Sequence, residues 1–285
     1  MPGSDNRMNL VPVGLVHCSA RTRKEMPPEG MAGTIEVFPP YRPALEGIEE
    51  HTHLILLGWL HLASRDLLKA VPRKISAELA EKGVFALRSP SRPNPISVSV
   101  VRLIRCRENG LLEVDNLDLV DGTPVVDIKP YQAGGDCIFS ATQHDRSEKI
   151  AKMDPGAYRA DLIREAVNYH GEWCPGAAVA VRLAIEATRF MGGDLRRKDV
   201  VLSPGGDPCI SDALIGITGA RFGSHRLDIA VPVGTDPESP ILFSAPGIQL
   251  RCLVRVHGRD PAEVLSMKAD DLFCLQFTRE KENKN

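Results

Sequence analysis

The chain has 285 residues, 43% of them hydrophobic and 25% charged, with a formal net charge of −2, an ordinary globular composition long enough for two domains. No apolar run approaches ~20 residues, which argues against a membrane-spanning helix. No basic, apolar, small-residue sequence opens the chain, so a cytoplasmic protein is expected. The 7 cysteines are scattered without framework spacing, which suits reduced thiols or a metal ligand and not a disulfide scaffold.

Residues 1–8 are polar and expected to be disordered, and Asn9 to Cys18 alternates weakly as a first strand. Arg21 to Gly33, rich in Pro, Gly and charge, reads as a long loop. His51 to His61 is strongly apolar around Leu54 to Leu57 and reads as a buried strand, in which His53 is either a hydrogen-bonded core residue or a pocket residue. Ser64 to Lys82 carries Leu67, Leu68, Val71, Ile75 and Leu79 at helical spacing, with Pro72 as a break or kink. Charge is segregated along the chain. Ser64 to Arg107 holds ten Lys/Arg against three Asp/Glu, whereas Glu108 to Ile138 holds seven acids against Lys129 alone. Such a basic stretch suits a phosphate backbone as well as it suits a solvated face.

The densest stretch is Arg88-Ser89-Pro90-Ser91-Arg92-Pro93-Asn94-Pro95. Its prolines fix their own φ and push the preceding residues out of the helical region, giving a stiff, extended arch. Its guanidiniums, hydroxyls and carboxamide are donors suited to carboxylate or phosphate oxygens; the plainer alternative is a proline-rich surface loop. Three strands are expected next, Ile96 to Arg107, Leu111 to Val120 and Thr123 to Lys129, with hairpin signals at Asn109-Gly110 and Asp121-Gly122. Together they predict a β-meander. In its last strand Asp127, Lys129 and Tyr131 alternate and so share a face, either as a site or as a solvated strand.

The run from Gly83 to Ile96, then Leu117-Asp118-Leu119-Val120-Asp121-Gly122-Thr123-Pro124-Val125 and Asp127-Ile128-Lys129-Pro130-Tyr131, resembles the TrmO family. So do Val37-Phe38-Pro39, Leu45 to Glu49 and His53 to Leu57, and the resemblance spans roughly residues 10 to 135. These are S-adenosylmethionine-dependent tRNA methyltransferases that place a methyl on N6 of threonylcarbamoyladenosine at position 37. Ser97 stands where that family has glycine, and His17-Cys18-Ser19-Ala20 replaces its Ser-Pro-Phe. The resemblance implies an all-β, barrel-like domain over 9–135, and the chain indeed lacks the G-x-G-x-x-G turn of a Rossmann methyltransferase. It further implies a homodimer that completes the pocket. Cofactor contacts are expected from Arg88, Ser89, Pro90, Arg92, Asn94 and Ile96 on the arch, and from Leu117, Asp118, Asp121 and Thr123 beyond it. Tyr131, Asp127, Lys129 and His53 are the catalytic candidates, while Arg92 or Lys129 would pair with the threonyl carboxylate.

Gln132 to Asp154 loosens, with Gly134-Gly135 and a short strand expected near Ile138, and 136–157 reads as a linker. A helix from about Pro155 to Tyr169 follows, then His170-Gly171-Glu172-Trp173-Cys174-Pro175-Gly176, then an alanine-rich helix to Phe190 ended by Gly192-Gly193. Pro175 at the first helical position makes Cys174 the N-cap, where a thiol's pKa falls and it binds metal or reacts. These residues, with Asp207-Pro208-Cys209-Ile210-Ser211-Asp212-Ala213, Thr218-Gly219 and Phe222-Gly223, resemble FmdE-like domains, an α+β domain over 158–285. Glu172 replaces that family's second histidine, and Ala220 stands where a cysteine is common. By this resemblance His170, Cys174 and Cys209 would bind zinc; a metal-free domain is the alternative. Two functions of different class are therefore expected: a tRNA methyltransferase with an accessory domain, or a metal-binding or redox module of one-carbon metabolism.

Overall fold

A computed structural model describes residues 8–27, 30–73, 76–229, 234, 236 and 238–279. Of the stretch expected to be disordered, residues 1–7 lie outside the described residues. Two compact units meet in sequence between Ser140 and Ala141. No helix among the described residues is long and apolar enough to cross a membrane.

The first unit is an antiparallel barrel. Its strands are β1 (Gly14–His17), β2 (Met31–Val37), β3 (His53–Trp59), β6 (Ile96–Cys106), β7 (Leu111–Leu117) and β8 (Pro124–Pro130), with β4 (Lys69–Ala70) and β5 (Lys82–Gly83) forming a separate pair. The barrel closes in the order β1-β2-β7-β6-β3-β8. Alternation drives this closure. Leu54 and Leu56 of β3, Val101 of β6, Leu112 and Val114 of β7 and Val125 of β8 point inward and are buried with Val16 and Ile35. Each such side chain contributes roughly 1.5–3 kcal/mol by leaving water.

The expected meander is half right. β6 and β7 do pair as a hairpin, but β8 leaves β7 and lies between β3 and β1. At Asn109-Gly110 only Gly110 has positive φ (+81°), and Gly110 N–H donates to Arg107 O while Arg107 N–H donates to Leu111 O. That is a three-residue loop ending in a left-handed glycine, not a two-residue type I′ turn. The first strand is shorter than expected, starting at Gly14.

Among the described residues of the Ser64 to Lys82 segment no helix forms, and apart from the β4–β5 pair it is irregular; Ile75 lies outside the described residues. Pro72 removes an amide and blocks the preceding turn. Leu67 and Leu68 are exposed, so the apolar spacing had no core to face.

The second unit is α+β. The short α1 (Ala133–Asp136) still belongs to the first unit and no strand forms at Ile138, whereas 141–157 of the expected linker, with helix α2 (Arg146–Ala151), fall within the second. Arg146 anchors α2 by donating to Glu165 (2.8 Å) and Asp194 (3.0 Å). Helices α3 (Pro155–His170), α4 (Pro175–Met191) and α5 (Pro208–Thr218) pack together. A sheet in the order β12-β11-β10-β9 completes the layer, from β9 (Val201–Ser203), β10 (Ile241–Ala245), β11 (Ile248–Val254) and β12 (Phe273–Arg279). Short helices α6 (Pro261–Ser266) and α7 (Ala269–Leu272) link β11 to β12. α4 is apolar nearly all round, with Ala177 to Val181, Leu183, Ala184 and Ala187 buried, as expected of a central helix. It stops at Gly192, which is left-handed with φ 70°.

Candidate functional site

The register of β8, β3 and β6 lays the catalytic candidates on the outside of the barrel. Asp127 pairs with Leu57, which pairs with Val98; Lys129 pairs with Ile55, which pairs with Val100. In the next row Tyr131 N–H donates to His53 O, and His53 pairs with Arg102. A polar margin thus flanks an apolar strip in which Val98 and Val100 remain 49% and 44% exposed. Lys129 Nζ sits 2.6 Å from Asp127 Oδ2, so the shared strand face is an ion pair. His53 Nδ1 is 3.0 Å from Thr52 Oγ1, and its ring meets Tyr131 edge-on at 6.5 Å. Burial, followed by the neighbouring Cys137, raises the Tyr131 pKa above the ordinary tyrosine value. Asp127, Lys129 and Tyr131 share one strand face, as their spacing predicts. The apolar strip between them and Arg102 was not legible, since it depends on which strand β8 joins.

The arch lies at the other end of β3. Trp59 pairs with Ile96, and Leu60 N–H donates to Pro95 O at 2.7 Å. Arg65 donates to Pro93 O (3.3 Å) and stacks over Trp59 (5.2 Å), while Arg92 N–H donates to Ser64 O. The Arg92 guanidinium points inward. It donates to the carbonyls of Val84 (2.6 Å), Ser89 (3.0 Å) and Leu87, so it braces the arch from inside instead of being presented to a substrate carboxylate. Arg88 is exposed and, among the described residues, its side chain has no protein partner. Asn94 is exposed, Ser89, Pro90 and Ile96 half-buried.

The loop from Asp118 to Thr123 joins the arch at this end. Gly58 packs against Ser97, Leu119 and Thr123, with no room for a Cβ; Ser97 Oγ accepts from Gly58 N–H (3.1 Å) and donates to Gly58 O (3.2 Å). Asp118 accepts from the buried Ser99 hydroxyl. Asp121 Oδ1 accepts from Cys18 N–H (3.2 Å) and lies 4.0 Å from His17 Nδ1, and His17 Nε2 is 2.9 Å from Glu36. Leu117 and Thr123 are fully buried, and Thr123 Oγ1 donates to Val120 O. Their side chains help shape the loop. The cofactor candidates come together here, whereas Tyr131 and His53 lie six residues down β3, about 20 Å away at ~3.3 Å per residue.

The second cluster stands in the C-terminal unit. His170 ends α3, Gly171 turns the chain with φ 98°, and Cys174 caps α4 by accepting from Ala177 N–H. Cys209 opens α5 beside the N-cap Asp207. The donor atoms of His170, Cys174 and Cys209 all lie within 4.8 Å of one another, with His170 Nε2 3.3 Å from Cys174 Sγ. Gly176 permits this convergence, because a Cβ there would sit 2.5 Å from Cys209 Cβ. Burial, then the adjacent Cys174, pushes the Cys209 thiol up to about 11. A cavity of about 230 Å³ adjoins the thiols, with Asp207 on its wall and His257 and Arg259 also lining it. One nitrogen and two sulfurs converging from separate helix ends are a donor set suited to a borderline-soft divalent ion.

A closed barrel with an outward polar-rimmed strip and an α+β unit carrying a thiol–imidazole cluster define a two-part protein of the non-Rossmann barrel class. Residues 15–137 match the family described as tRNA-methyltransferase O N-terminal domain, and residues 169–235 match FmdE, Molybdenum formylmethanofuran dehydrogenase operon. A "Probable S-adenosyl-L-methionine-binding protein" of Archaeoglobus fulgidus is 35% identical over 77% of this chain and 60% of its own length. One of the same description from Methanothermobacter thermautotrophicus is 42% identical over 45% of this chain and 93% of its own length. The "tRNA (adenine(37)-N6)-methyltransferase" of Escherichia coli is 37% identical over 45% of this chain and 55% of its own length. The chain belongs to the TrmO family and carries an FmdE domain after the barrel.

Proposed function

We propose that the chain is an S-adenosylmethionine-dependent tRNA methyltransferase that methylates N6 of threonylcarbamoyladenosine at position 37. The observation that carries this reading is the pair of polar sites set at opposite ends of one apolar barrel face. The arch suits the cofactor: Arg88 offers its carboxylate a guanidinium that has no partner among the described residues, and Asn94 and Ser89 offer further polar groups on a stiff backbone. When bound, the cofactor supplies an already activated methyl, so the protein has chiefly to align donor and acceptor and exclude water.

The acceptor nitrogen is part of a urea and must shed a proton. Tyr131, held neutral, donates a hydrogen bond; Asp127 and His53 are the groups able to take the proton. With Arg92 turned inward, Lys129 is left to pair with the threonyl carboxylate, and the basic stretch around the arch meets the tRNA backbone.

One chain alone keeps the arch and the His53–Tyr131 end of the face about 20 Å apart along β3, with Asp127 and Lys129 between them. A homodimer resolves this. A two-fold axis across the strands would bury Ile55, Leu57, Val98 and Val100 against their counterparts and set the arch of one protomer beside Tyr131 of the other. Nucleoside mass spectrometry of tRNA from a strain lacking this gene tests the reaction: the unmethylated threonylcarbamoyl nucleoside should accumulate, and an unchanged nucleoside profile refutes the assignment.

The FmdE domain supports a second, compatible reading as a zinc-binding module, carried by the convergence of His170, Cys174 and Cys209. Zinc analysis of the purified protein tests it; a metal content unaffected by Cys174→Ser and Cys209→Ser removes it.

A further inference from the structure

His170 has two ring nitrogens in opposite situations. Nε2 faces Cys174 Sγ at 3.3 Å, inside the cluster. Nδ1 is buried and lacks a hydrogen-bond partner, although Asp212 Oδ2 stands only 3.5 Å away, within ion-pair range. A buried N–H left without an acceptor is unfavourable, because it has given up water and gained nothing in return. A small ring or carboxylate rotation would close that gap.

We infer that Asp212 is a positioning residue for His170: it accepts from Nδ1–H, holds that tautomer, and so keeps the Nε2 lone pair turned toward the two thiols. This rests on the zinc-binding reading of the cluster for its purpose, but not for its geometry. Cys209 and Asp212 are three apart on α5 and therefore share a face, so one helix delivers both a sulfur donor and the carboxylate behind the histidine. His170 and Cys174 flank the α3–α4 turn, so a second segment delivers the imidazole and the other sulfur.

Two close approaches hold α5 in this register. A Cβ on Gly216 would lie 2.5 Å from Tyr169 Cβ and 2.8 Å from Glu165 O, which seats α5 directly on the end of α3. Gly216 is one turn beyond Asp212, and Tyr169 immediately precedes His170. At the other end Gly176 admits Cys209 in the same way. Asp212 is thus carried to His170 by backbone packing, while its own side chain is 51% exposed. A half-exposed carboxylate facing an imidazole nitrogen that has no partner among the described residues is explained by what it does to that ring. Carboxylate partners of metal-bound histidines act in this way, fixing tautomer and orientation.

The test uses the full chain with Asp212→Ala, Asp212→Asn and His170→Gln variants. Histidine labelled with ¹⁵N reports the tautomer in metal-free protein, and the His170 signal is the one lost in His170→Gln. Cobalt(II), titrated alone, reports the metal site by its thiolate charge-transfer absorption. Wild type should show the Nδ1–H tautomer, and Asp212→Ala should shift it toward Nε2–H and weaken cobalt binding about 10- to 100-fold. Asp212→Asn, which keeps an acceptor oxygen, should fall between them. Unchanged tautomer in Asp212→Ala overturns the assignment whatever cobalt does. Unchanged cobalt affinity with a changed tautomer overturns its role in metal binding. If wild type takes up no cobalt while the tautomer still switches, the zinc reading fails and the hold of Asp212 on His170 stands.

Discussion

Arg92 reaches back eight residues to donate to the carbonyl of Val84 at 2.6 Å, closing the arch on itself. Its Nε and Nη2 satisfy three carbonyls from a fixed planar fork, a geometry that lysine cannot reproduce. Arg92→Lys should therefore loosen residues 84–95, losing about 1–3 kcal/mol of local stability and weakening cofactor binding. Hydrogen exchange of that segment, set beside calorimetry with S-adenosylmethionine, measures both; protection equal to wild type would show that the prolines suffice.

If donor and acceptor sites come from different protomers, Arg88→Ala and Tyr131→Phe should each be poorly active as homodimers. Mixed and re-equilibrated, they should regain up to about a quarter of wild-type activity, because half the molecules are mixed dimers and each of those carries one intact composite site. No recovery on mixing would place both groups in one protomer's site.

Tyr131→Phe keeps the edge contact with His53 and removes only the hydroxyl. Methyl transfer should fall about 10²-fold or more if the phenol assists in the transition state. The sign of the pH effect follows from its raised pKa: burial and then Cys137 hold the donor form to higher pH than an ordinary tyrosine, so the loss of rate attributable to Tyr131 sets in later than for a free phenol. A pH–rate profile of wild type against Tyr131→Phe and Asp127→Asn separates the donor from the base; full activity in both variants would remove them from the chemistry.

In the C-terminal unit Cys252 is fully buried, and its thiol is pushed up to about 12 by burial and then by Cys274. The unfolded thiol ionises near 9, so folding favours the protonated form. Its stabilising contribution is complete below about pH 9 and is lost as pH rises toward 12. Tyr158, pushed up to about 12 by burial with its hydroxyl on Thr188, adds the same slope above about pH 10. Denaturant midpoints measured from pH 8 to 11 should fall with pH in wild type, less steeply in Cys252→Ala and Tyr158→Phe, and least in the double variant. Parallel slopes in all four proteins would contradict the burial of these groups.

Local signals in the sequence were read well where one residue decides the geometry. Gly192 and the Cys174-Pro175 pair marked both ends of α4, and Gly110 marked the β6–β7 hairpin. Motif order announced the barrel and the FmdE-like domain. Partner choice was not readable: the alternation in 124–130 says that one face is apolar but not that β8 joins β3 and β1 instead of β7. Nor does spacing reveal where a guanidinium turns, and Arg92 looked like a ligand because its carbonyl partners carry no sequence signature. The helical spacing from Leu67 to Leu79 misled for the converse reason, since Leu67 and Leu68 found nothing to cover. For Asp212 a signal did exist, three residues past Cys209 on the same helix face, but only the fold shows what stands opposite.

Every strand of the barrel has a hydrogen-bonded neighbour on both sides. The ladders are not continuous, because β6 pairs with β7 only from Arg102 onward and β8 with β1 only at Pro124 and Val125, so 96–101 and 127–130 are paired on their β3 side alone. Elsewhere on the barrel recognition falls to side chains and loop backbone, so selectivity can drift through point changes on β3, β6 and β8 without reopening the ring.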